Sequence, residues 1–222
     1  MDLAASLFPL GWVLSSDLLA LLILVWVAWG VPWSRLDPDV ANAWMGACVL
    51  VIMLWSLSGT YKLGLSFHLL GVAALTLLMG PRLALLASAL VMAAMCLDGA
   101  GSILALGLNW LTCGVVPVGV VMLALYLAQR YLPPNLFVYV FLNAFFAGGI
   151  SMLAATMAGV ACLGLVGAYS WSSMFDDVMP YYFLLSWPEA FTTGLMLTLL
   201  VVYKPQWVST FDDERYLNDK MD

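Results

Sequence analysis

Charged residues are almost confined to the gaps between long apolar runs, and this constrains the fold more than any other feature. Only 9% of the 222 residues are charged and 64% are hydrophobic. Soluble domains carry roughly 25% charged residues. Each run approaches the roughly 20 apolar residues needed to cross a bilayer as a helix. Such a chain reads as an all-α, polytopic integral membrane bundle. No basic stripe marks a nucleic-acid surface. The start, Met1-Asp2-Leu3, lacks the positive region of a secretory signal, so Met1 reads as the mature N-terminus.

Seven runs are expected, at 10–29, 41–57, 63–79, 83–97, 103–128, 136–169 and 181–203. Gly80-Pro81-Arg82 separates the third from the fourth and is a strong helix stop. The sixth is long for one span, and Gly148-Gly149 within it predicts a kink or break. Residues 1–203 then form one transmembrane domain, and 204–222 a polar cytoplasmic tail.

Seven crossings put Arg35, Arg82, Arg130, Lys204, Arg215 and Lys220 on one side and only Lys62 on the other. Basic loops mark the cytoplasmic face. The N-terminus is therefore expected outside and the C-terminus inside. Asp2, Asp17, Asp98, Asp176 and Asp177 fall on the outer side. Such a bias either draws cations to that face or records the exclusion of bases from it.

Polar residues within apolar runs are candidates for function. His68, the one histidine, opens the third run, and imidazole is a common ligand of nickel, cobalt, copper and zinc. A lone histidine is equally a hydrogen-bonded core residue. Glu189 follows Pro188 and reads as a structural anchor hydrogen-bonded to a neighbouring helix, ahead of a functional charge. Asn109 suits interhelical hydrogen bonding. Asp98, before Gly99, suits a turn, a helix cap or the rim of a site. Cys48, Cys96, Cys113 and Cys162 are single and read as buried apolar groups. Met92 and Met95 beside Cys96 invite a copper site, but methionine in apolar helices is normally packing material. There is no phosphate loop, no nucleophilic triad and no histidine pair, which argues against an ATPase, an enzyme or a bis-histidine haem protein.

Ser66-Phe67-His68-Leu69-Leu70-Gly71 followed by Leu78-Met79-Gly80-Pro81 resembles the CbiM/NikM family. These are the metal-binding membrane subunits of energy-coupling-factor (ECF) cobalt and nickel transporters, a branch of the ABC transporters. Leu97-Asp98-Gly99 leading to Leu106-Gly107-Leu108-Asn109, and Glu189-Ala190-Phe191-Thr192-Thr193-Gly194, are similar to later family segments in matching order. The resemblance implies seven spans and an outside N-terminus. It further implies capture of a divalent transition metal in the bacterial inner membrane, without a prosthetic group. A coupling transmembrane permease and cytoplasmic ATPase subunits would supply the energy.

The family's ligands are the N-terminal amine, the amide and imidazole of a histidine at position two, and a third-span histidine. By resemblance the site here is Met1, Asp2 and His68, supported by Asp98, Asn109 and Glu189. Asp2 replaces a strong nitrogen donor with a carboxylate, and the family's histidine-isoleucine-proline-aspartate-glycine start is absent. A mixed nitrogen–oxygen set suits zinc or cobalt better than square-planar nickel. The divergence equally allows a chain that no longer binds metal there. The alternative function is a non-transport accessory or assembly subunit of a larger membrane complex.

Overall fold

The computed structural model describes residues 2–99, 101–212 and 216. Among the described residues, six helices are long and apolar enough to cross a membrane. They are α1 (Leu10–Trp29), α2 (Pro38–Ser56), α3 (Val72–Leu97), α4 (Ile103–Tyr131), α5 (Leu136–Leu165) and α6 (Trp171–Tyr203). A small antiparallel hairpin, β1 (Gly59–Lys62) and β2 (Leu65–Phe67), joins α2 to α3, with Gly59 opposite Phe67 and Thr60 opposite Ser66.

The expectation of seven transmembrane helices is thus corrected to six of spanning length. The number of crossings remains seven, because α3 is folded in two. A straight helix of its 26 residues would be roughly 39 Å long. Yet His68, just before its start, and Cys96, at its end, line one cavity. The reversal occurs at Gly80, whose φ of 78° and ψ of 166° are not helical. Residues 72–79 descend and residues 81–97 return. Pro81 opens the returning arm, where its missing N–H costs nothing.

The third crossing is therefore extended above and helical below. Within 66–71 burial alternates: Ser66, His68 and Leu70 are buried, while Phe67, Leu69 and Gly71 are half-buried. That is the period of a strand, not of a helix. The expected helical run 63–79 is wrong in its first half. Both sides of this segment meet protein, and its buried side mixes Ser66 and His68 with Leu70, so hydropathy does not reveal the alternation.

The inner end of the turn is closed by the start of the tail. Leu77 and Leu78 carbonyls at the end of the descending arm lack helical partners. The Ser209 N–H donates to Leu78 O (2.8 Å), and the Thr210 hydroxyl donates to Leu77 O (2.7 Å). Val208 and Phe211 are buried, so residues 204–212 dock against the bundle rather than trailing from it. Residues 213–215 and 217–222, the rest of the expected tail, lie outside the described residues. Arg82 donates to the Gly30 carbonyl at the same end. Arg82 and Ser209 therefore mark one face of the bundle, and Asp2 and Lys62 lie toward the other.

The expected break at Gly148-Gly149 is absent; α5 runs through both in regular α conformation. Their missing side chains allow α6 to approach closely. A Cβ on Gly149 would lie 3.2 Å from the Ala190 Cβ and from the Ser186 carbonyl oxygen. Small residues at such contacts are the membrane-bundle norm. Irregularity falls elsewhere, in π-helical turns at Leu111–Val115 and Tyr139–Phe146. The first widens the helix just where Pro117 would otherwise strike the carbonyl of Cys113.

Candidate metal centre

The N-terminal segment folds back onto the bundle and is held there by Asn109. The Leu3 N–H donates to Asn109 Oδ1 (2.7 Å), and Asn109 Nδ2 donates to the Leu3 carbonyl (3.0 Å). The same amide nitrogen reaches Asp2 Oδ1 at 3.3 Å. Leu3 is fully buried. One side chain thus satisfies both backbone groups of a residue as a neighbouring strand would, and it fixes Asp2 beside α4. Burial raises the Asp2 carboxyl above its ordinary pKa.

His68 arrives from the opposite wall. It is 7% exposed, with its ring 4.8 Å from that of Trp55 and Nδ1 3.1 Å from the Leu69 carbonyl oxygen. The segment carrying it is non-helical at membrane depth, where backbone groups require protein partners. The Tyr182 hydroxyl donates to Ser66 O (2.7 Å), and Trp55 Nε1–H donates to Leu70 O (2.9 Å). The N–H groups of Leu70 and Gly71 donate to the two carboxylate oxygens of Glu189, each at 2.8 Å. Glu189 is wholly buried in the middle of α6. It also sits at the N-terminus of the descending arm, where a carboxylate is favoured.

The cavity between these walls has a volume of about 70 Å³. That admits an ion and a few waters, each water needing about 10–15 Å³, but not an organic ligand, whose pockets measure about 300–1,000 Å³. Asp2, His68 and Asn109 line it. Glu189 does not; it acts two residues along the chain, through Leu70 and Gly71. Asp98 is exposed beyond the end of α3 and does not line the cavity. Met1 lies outside the described residues.

Met92, Met95, Cys96 and Ser66 complete the wall, together with Trp55, Ser58, Thr60 and Gly101. The sulfur residues read from sequence as packing. Their spacing at i, i+3 and i+4 did place them on one helix face, but nothing local said which way that face turns. Among the described residues, no three histidine, cysteine or acidic groups already form a closed ligand cluster.

A family model described as "Cobalt uptake substrate-specific transmembrane region", CbiM, matches residues 2–207. No curated protein matches the sequence. In fold the chain is similar to a crystal structure of a truncated transition metal transporter. The TM-score is 0.78 at 19% identity, covering 91% of this chain and 99% of that one. A second crystal structure of a transition metal transporter gives 0.74 at 20% identity, with 90% and 92% covered.

Proposed function

The chain belongs to the CbiM family of cobalt-uptake membrane components, and we propose that it is the subunit that captures a divalent transition-metal ion on the outer face. It is an integral membrane protein of metal uptake. Family membership favours transport over the accessory-subunit reading. The observation that carries the capture reading is the convergence of two distant segments. Asp2 and His68, far apart in sequence, face one ion-sized cavity at the end of the bundle remote from Arg82.

The ligands of this reading are His68, the Asp2 carboxylate and the Met1 amine. His68 supplies imidazole nitrogen from a segment whose position Glu189 fixes. Asp2 supplies oxygen from a segment that Asn109 fixes. Zinc or cobalt suits that donor set better than nickel. Energy for import comes, in this reading, from an ECF-type coupling permease with cytoplasmic ATPases in the bacterial inner membrane.

The test is metal analysis of the purified chain with an unblocked Met1, beside His68→Ala. Stoichiometric binding of zinc or cobalt, lost in the variant, is expected. Equal retention by both proteins would sink the site assignment. Copurification with a permease and two ATPases tests the assembly separately.

A further inference from the structure

Met92, Met95 and Cys96 project from the last turns of the returning arm of α3 into the same cavity as His68 and Asp2. Cys96 is 7% exposed. Its sulfur and the Asp2 carboxylate both lie against Gly101 at the wall of the cavity. A Cβ placed on Gly101 would lie 2.9 Å from Cys96 Sγ and 3.6 Å from Asp2 Oδ1. A second, independent feature marks the place. Ser66, also 7% exposed, lines this cavity, and its Oγ has no hydrogen-bond partner. Buried hydroxyls are normally paired. An unpaired one facing an ion-sized space is accounted for by an occupant that brings an oxygen or a charge.

We propose that Cys96 is a ligand of the captured ion, and that its thiolate makes the site select zinc over nickel. This rests on the capture reading above and adds a donor to it. Imidazole nitrogen, carboxylate oxygen and thiolate sulfur are the three protein donors of tetrahedral zinc sites. A square-planar nickel site calls instead for a nitrogen-rich set. On binding, the Cys96 S–H proton leaves to water and the sulfur–metal bond forms. His68, Asp2 and Cys96 would supply these three donors from the lining of one cavity. Ser66 is then placed to hydrogen-bond a ligand oxygen or a metal-bound water, the supporting role that outer groups play around metals. The Met92 and Met95 thioethers form a soft, apolar wall that limits water.

Cobalt(II) is the spectroscopic probe, because a cobalt–thiolate bond gives a near-ultraviolet charge-transfer band. The full chain with free Met1 should show that band. The triple variant Cys48→Ser, Cys113→Ser, Cys162→Ser should keep it, and Cys96→Ser should lose it. In competition titrations Cys96→Ser should weaken zinc at least about tenfold and erase the preference over nickel. If Cys96→Ser does not fold, the triple variant decides alone, since Cys96 is its one thiol. Cobalt bound without the band, or a band that survives Cys96→Ser, overturns the Cys96 assignment while leaving the capture reading intact. Failure of the unmodified chain to bind any of the three metals overturns both.

Discussion

The two arms that meet at Gly80 solve the same problem in opposite ways. Residues 81–97 form a regular helix whose backbone groups satisfy one another. The Ser88 hydroxyl there donates within its own turn, to Leu85 O, and accepts from Trp110 Nε1–H of α4. Residues 65–71 are extended at comparable depth and give their backbone groups to Tyr182, Trp55 and Glu189, all from other elements. The helical arm carries its stability in its own sequence. The extended arm borrows it, and in return holds Ser66 and His68 on one side of a straight segment, both facing the cavity. An α-helix would separate residues two apart by about 200°.

Substitutions can break this contrast. The largest effect is expected for Glu189→Ala, which strips the acceptors from two buried N–H groups at about 1–3 kcal/mol each. The protein should melt earlier in detergent and lose metal at His68, although Glu189 touches no part of the cavity. Glu189→Gln keeps an acceptor oxygen and should recover part of both. A Glu189→Ala protein as stable as its parent would refute the borrowed-partner account.

Gly71→Ala comes next. Its φ of 64° lies in the left-handed region, where a side chain costs about 1–2 kcal/mol, and a Cβ would press on Leu54 at 3.3 Å. Thermal denaturation should resolve the loss. Tyr182→Phe removes one donor from the Ser66 carbonyl and should cost about 1 kcal/mol, with a measurable fall in metal affinity. Ser88→Ala on the helical arm is the control. Trp110 keeps the Leu85 carbonyl as acceptor, so a change of no more than about 0.5 kcal/mol and unaltered metal affinity are expected. A Ser88→Ala loss matching that of Tyr182→Phe would remove the distinction between the arms.

Much of the architecture was legible in the runs themselves. The stop at Gly80-Pro81-Arg82 correctly separated two crossings, although they share one continuous helical assignment. Glu189 and Asn109, read as bonding between helices, do act as hydrogen-bonding anchors, but for non-helical backbone at Leu70, Gly71 and Leu3. Gly148-Gly149 read as a break because glycine frees a backbone, yet here it clears space for Ala190 and Ser186. Met92, Met95 and Cys96 read as packing, and Met92 does lie in the core with Met95 against it; that they also line the His68 cavity was not legible. Asp98 read as a supporting residue by resemblance, and its side chain stands outside the cavity wall.

The sequence by itself determined the membrane setting and the helical architecture, because burying charge in hydrocarbon is costly wherever it occurs along the chain. Only the tertiary structure decided which apolar stretch is extended, which sulfur face meets His68, and that Asp2 lies across from it. Those outcomes depend on partners supplied by distant residues. Tyr182, Glu189 and Asn109 act on backbone groups roughly a hundred positions away, a distance at which no local period or propensity carries information.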